Sequence, residues 1–84
     1  MLEDASPNPF SDLLTVRFAV PRDGLVRIDL FDVSGHLIAN VAQGSYAPGY
    51  HSIGWQNSGV GTGVYFLRLS LGPETTVRKV VIAK

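Results

Sequence analysis

From Leu14 onward the chain alternates apolar and polar residues in short runs, each closed by glycine or proline after about ten residues. Leu14, Val16, Phe18 and Val20 share one parity and Thr15, Arg17 and Ala19 the other, with Pro21 and Gly24 closing the run. Leu25–Phe31 repeats the pattern, setting Val26, Ile28 and Leu30 against Arg27 and Asp29. Tyr50–Gln56 places His51, Ile53 and Trp55 on one parity, and Val64–Leu71 and Thr75–Ala83 continue the series. A helix would need apolar residues at a spacing of about 3.6 over three turns, and no window supplies it. The rhythm therefore predicts an all-β chain folded as a small antiparallel sandwich.

The turns carry their own chemistry. Asp32-Val33-Ser34-Gly35 puts Asp first and Gly fourth, as a type I turn prefers, and predicts a hairpin returning over His36–Ala42. Leu71-Gly72-Pro73-Glu74 predicts a second hairpin, whereas Gln43–Gly49 and Asn57–Gly63 read as longer connections. Six strands are thus expected, with a seventh within Ala5–Asp12 or within residues 43–49. Residues 1–6 read as a linker or expression remnant, with Met1 an expression start, and residues 7–84 as the domain. Strand order stays open between a Greek key and a meander.

A chain of 84 residues holds one domain with a thin core, and at 45% hydrophobic and 17% charged it is apolar enough to fold. Seven Lys and Arg balance seven Asp and Glu, so the basic excess that phosphate neutralisation requires is missing and no nucleic-acid partner is expected. The absence of cysteine excludes disulfides, thiolate nucleophiles and zinc–thiolate clusters. No apolar run approaches the roughly 20 residues of a membrane-spanning helix, so membrane insertion is not expected. No apolar stretch of signal-peptide length opens the chain, so if the protein is exported, either the chain is a fragment or its export address lies elsewhere.

Each candidate chemistry has a plainer reading. The serines, histidines and aspartates fall in no nucleophile elbow, so no catalytic residue is assigned. Gly59-Val60-Gly61-Thr62-Gly63 lacks the spacing, lysine and following helix of a phosphate loop and reads as a flexible turn. Asp29 and Asp32 lack the ladder of a calcium loop; Asp32 belongs to its turn and Asp29 to a solvated face, so no metal or cofactor is expected. His51 reads as a satisfied, partly buried histidine. Phe31, Tyr46 and Phe66 are the rings expected to stand exposed, which keeps a carbohydrate-binding or adhesion module as the alternative.

Four motifs stand in order: Pro7-Asn8-Pro9-Phe10, Asp32-Val33-Ser34-Gly35-His36, Gly63-Val64-Tyr65-Phe66-Leu67-Arg68-Leu69, and Arg78-Lys79-Val80-Val81-Ile82 running to Lys84. In that order they resemble the C-terminal sorting domain of the type IX, or Por, secretion system, across nearly the whole chain. The immunoglobulin-like domain of flagellar hook-capping proteins has a similar pattern. The resemblance implies an immunoglobulin-like β-sandwich of about seven strands that is a non-catalytic secretion signal. It implies partnership with an N-terminal cargo domain, the type IX translocon and a sortase-like protease. The precursor would pass through the periplasm, and cleavage would leave the cargo at the cell surface or in the medium. Carried onto this sequence, the recognition positions are Pro7, Asn8 and Pro9, then Asp32 and Gly35, Gly63 and Tyr65, and Lys79 and Lys84. His36 stands where the family usually has Arg or Lys. A sheet ending in a strand rich in valine and cations also allows weak pairing with a second copy through an edge.

Overall fold

The computed structural model describes residues 1–84 and contains seven antiparallel strands: β1 (Leu2–Ser6), β2 (Leu13–Val20), β3 (Gly24–Asp32), β4 (Leu37–Tyr46), β5 (Gly49–Gln56), β6 (Gly63–Leu71) and β7 (Glu74–Ile82). They form a three-stranded sheet, β1-β2-β5, packed on a four-stranded sheet, β4-β3-β6-β7, consistent with an immunoglobulin-like sandwich. The chain changes sheet between β2 and β3, between β4 and β5, and between β5 and β6, so a meander is ruled out.

The period-two reading locates the core. Leu14, Val16, Phe18 and Val20 of β2 face Val26, Ile28 and Leu30 of β3, Leu67, Leu69 and Leu71 of β6, and Val80 and Ile82 of β7 across the gap. His51, Ile53 and Trp55 point the same way from β5 but stay half-buried, because β5 is an outer strand. Tyr46 closes the gap between the sheets, its ring edge-on to Phe18 at 5.2 Å and to His51 at 5.0 Å. The Nε2 of His51 donates to the Ala47 carbonyl at 2.7 Å, so this histidine is satisfied as its parity suggested.

Both hairpins form. Gly35 N donates to Asp32 O at 3.0 Å, and Gly35 has a φ of 85°, which a residue with a Cβ adopts only under strain. Leu71 pairs with Glu74 around Gly72-Pro73, and Gly72 has a φ of 57°. The proline ring holds its own φ negative, so the turn has positive φ only at its first central residue, as type II′ requires.

Three expectations are corrected. Residues 1–6, read as linker, contain β1, which pairs with β2 (Ala5↔Val16, Ser6↔Thr15) and buries Leu2 in the core. The apolar partner that orders this polar segment lies on a distant part of the chain. The second hairpin strand continues past Ala42 through Gln43–Tyr46, because β3 is long enough to pair Val26 with Gly44 and Gly24 with Tyr46. Register shifts opposite Ile28/Asp29 and Leu30/Phe31 bulge β4 at Val41 and Ile38 and break its alternation. The 57–63 loop is pinned rather than flexible: Asn57 Nδ2 donates to Ser11 O and Val60 O, each at 3.1 Å, and its Oδ1 accepts from Val60 N at 3.0 Å.

Candidate recognition site

The strand register gathers the four motifs at one end of the sandwich. Asp32 of β3 lies beside Tyr65 of β6, and Tyr65 beside Val80 of β7. Phe31, Phe66 and Lys79 form the adjacent row, and Gly63 pairs with Ile82. Tyr65 Oη donates to Gly61 O at 2.8 Å, and a Cβ added at Gly63 would meet its ring at 3.4 Å. Lys84 N donates to the Thr62 hydroxyl oxygen at 3.2 Å, which ties the chain end to the same loop.

The opening motif reaches this corner from the other sheet. After β1 the chain crosses through Pro7 and Pro9, both preceded by cis peptide bonds, and runs along the outer edge of β7. Asn8 Nδ2 donates to Lys79 O at 3.1 Å and Asn8 Oδ1 accepts from Val81 N at 2.9 Å. Phe10 N then donates to Val81 O at 3.0 Å, and Phe10 O accepts from Ala83 N at 2.9 Å, a parallel bridge centred on Phe10 and Ile82. The Phe10 ring is buried, edge-on to Trp55 at 6.1 Å.

Asp32 organises the central turn. Its Oδ1 accepts from Ser34 N and His36 N, each at 2.9 Å, and its Oδ2 lies 3.3 Å from His36 Nδ1. The His36 backbone N–H leads in stabilising the charged form; desolvation, next in size, opposes it, and the Ser34 N–H and the His36 ring add to it, so the carboxyl is held below its usual 3.8. Because the folded-state value is depressed, the resulting stability is present above about pH 3.8 and is lost as pH falls through the lower folded value. Asp32→Asn keeps an acceptor for both N–H groups and removes only the charge. Its stability deficit relative to the parent, followed by urea denaturation from neutral to strongly acid pH, is expected to close on the acid side. Parallel pH profiles would refute this assignment.

Asp29 is the clearest departure from the sequence reading. It faces outward with Arg27, yet it is only 2% exposed. Arg27 Nε donates to its Oδ2 at 2.6 Å and Asn40 Nδ2 to its Oδ1 at 2.9 Å. Neighbours on β3 and β4 cover a position that strand parity alone assigns to solvent.

The aromatic expectation is also corrected. Phe31 and Phe66 are half-buried as neighbours on the outer face, with the Arg68 guanidinium 4.5 Å from the centre of the Phe31 ring, and Tyr46 is half-buried as the seal between the sheets. Tyr50, at 84%, is the exposed ring. A shallow depression of about 340 Å³ beside it is lined by Glu3, Arg17, Phe18, Tyr50, His51 and Ser52. Two of its polar side chains serve the fold: Arg17 Nη1 donates to Asp4 at 3.0 Å and Ser6 at 3.1 Å, and His51 holds Ala47.

A family model described as secretion system C-terminal sorting domain matches residues 5–83. The chain belongs to this family. It is a C-terminal sorting domain of the type IX secretion system, a non-catalytic signal carried by a cargo precursor bound for the cell surface or the extracellular space. No curated protein and no solved structure matches the chain.

Within this sorting domain, sequence reasoning missed the structural weight of Phe10 and Asn57. A phenylalanine after two prolines and an asparagine before Ser-Gly both read locally as loop residues. What places them is contact with β7, Trp55 and Ser11, all remote in sequence.

Proposed function

We propose that the corner formed by Pro7, Asn8 and Pro9, Asp32 and Gly35, Gly63 and Tyr65, and Lys79 and Lys84 is the surface the type IX translocon reads after the precursor reaches the periplasm. A sortase-like protease then separates cargo from domain, leaving the cargo anchored at the surface or released. One observation carries the reading: motifs drawn from both ends and the middle of the chain meet at one end of the fold, beside the terminal strand. Outward-facing Lys79 and the Arg68–Phe31–Phe66 group add charge and apolar surface on the adjoining face.

The fold also bears on processing. A protease that binds its substrate as an extended strand would have to strip β1 from β2 to cut within residues 2–6. The cut is therefore assigned upstream of Leu2, or to a stage before β1 docks. Self-pairing, where it occurs, is assigned to β5, whose run GYHSIGWQ carries no Lys, Arg, Asp or Glu and pairs with β2 without a register shift. The other edges are blunted: β4 is bulged, β1 has 5 residues, and β7 is partly covered.

Removing Arg78–Lys84 would take out the buried Val80 and Ile82 and unfold the domain, so that truncation confounds recognition with folding. The cleaner test fuses a reporter with a periplasmic signal peptide ahead of Met1 and reverses the exposed cations in Lys79→Glu/Lys84→Glu. In a bacterium with a working type IX system the parent fusion is expected outside the cell, and to stay in the periplasm when that system is deleted. The double variant is expected to export at least about tenfold less with unchanged thermal unfolding, since surface substitutions usually move stability by less than about 0.5 kcal/mol. Normal export of the double variant would remove the cations from the recognition surface.

A further inference from the structure

The outer edge of β7 is a strand-accepting edge that the chain itself occupies. In an antiparallel strand alternate residues turn both backbone polar groups to the same side. Four such groups on β7 and just beyond it, Lys79 O, Val81 N, Val81 O and Ala83 N, are satisfied in turn by the Asn8 carboxamide and the Phe10 backbone. A carboxamide has the donor and acceptor of a peptide group, so Asn8 and Phe10 together imitate a short parallel strand. An added strand running parallel to β7 would satisfy the same four groups.

The cover is partial. Continuing the alternation toward the hairpin places Val77 and Thr75 on the same edge, and residues 8–10 do not reach them. Val77 is exposed and its carbonyl accepts from Arg78 Nη1, at 3.2 Å. Asn8 is itself exposed, so its two bonds are the weaker end of the cover, whereas the buried Phe10 ring is the stronger. The open stretch therefore adjoins the end of the cover that detaches more readily.

We propose that Asn8 is a displaceable edge cover, and that an extended segment of the recognising machinery pairs first at Thr75–Val77 and extends toward Ala83 by displacing it. The proposal rests on the reading that the terminal strand is recognised, but it makes Asn8 the cover of that surface and not a group that is read; it adds the mode of recognition, β-strand addition, together with the intramolecular competitor that regulates it.

The test uses Asn8→Ala in the full chain, which leaves Phe10 and the core in place. Losing the acceptor of the Val81 amide is expected to speed its hydrogen exchange about two- to tenfold, the size of one net hydrogen bond, while amides of the central strands β3 and β6 keep their protection. Unchanged exchange at Val81 would overturn the cover. In the reporter fusion, the initial export rate of Asn8→Ala is expected to rise at least about twofold, because the competing segment is weakened. Unchanged export, with Val81 exchange accelerated and the fold intact, would overturn the competition; reduced export would overturn it and make Asn8 a contact that is read directly. Failure of the parent fusion to depend on the type IX system would instead sink the underlying functional reading, and the exchange result stands apart from it.

Discussion

Phe18→Ala is expected to leave the domain at or near the edge of unfolding. Phe18 is fully buried at the centre of β2, stacked on His51 at 5.4 Å and met edge-on by Tyr46 at 5.2 Å, with Leu2 of β1 as its register partner. Truncating a buried Phe to Ala costs about 3–5 kcal/mol, from lost transfer energy and the cavity left behind. A chain of 84 residues at the usual per-residue stability holds about 4–13 kcal/mol in total. The loss is therefore a large share of the whole, and the neighbours that could refill the site belong to strand edges already held by pairing. Urea denaturation followed through Trp55, the single tryptophan, measures it. A cost below about 1 kcal/mol would mean that Tyr46 and His51 collapse into the space.

The second large effect comes from a charge. Arg27→Met is expected to destabilise the domain by about 2–3 kcal/mol, because it leaves the Asp29 carboxylate buried with Asn40 as its one remaining side-chain donor. Breaking a fully buried pair costs about 3–5 kcal/mol; the Arg27 side chain is 46% exposed, so solvent already screens part of this interaction and the figure is reduced accordingly. The asymmetry within the pair is the sharper expectation. Asp29→Leu should cost less than Arg27→Met, since a half-exposed guanidinium regains water and a buried carboxylate does not. The double substitution should recover most of the Arg27→Met loss, which a double-mutant cycle reads directly. If Arg27→Met lies within about 0.5 kcal/mol of the parent, Asp29 is solvated after all.

These two residues mark how far the sequence could be read. Phe18 lies on an apolar parity between Val16 and Val20, and alternation assigned it to the core without reference to any other strand. Asp29 lies on the polar parity beside Arg27, and the same rule assigned it to water. Alternation reports which face of a strand a side chain occupies. It does not report how tall the neighbours on that face are, and Arg27 and Asn40 are tall enough to cover a short carboxylate.

The site divides along the same line. Gly35 and Gly72 were legible because a tight turn needs backbone geometry that few other residues adopt, and the four motifs were legible as an ordered series. Their meeting at one corner was not, because register between strands far apart in sequence is set by core packing across the two sheets. Asn8 shows this most clearly: its local context reads as a polar turn between prolines, and its role comes from two backbone groups more than 70 residues away. By itself the sequence determined six of the seven strands, the inward faces of β2, β3 and β5, the hairpin turns and the family resemblance, all of which rest on local periodicity and local backbone preference. The tertiary structure alone decided which strands became edges, which edge was covered and which carboxylate was buried, because those depend on non-local pairing that period two leaves open.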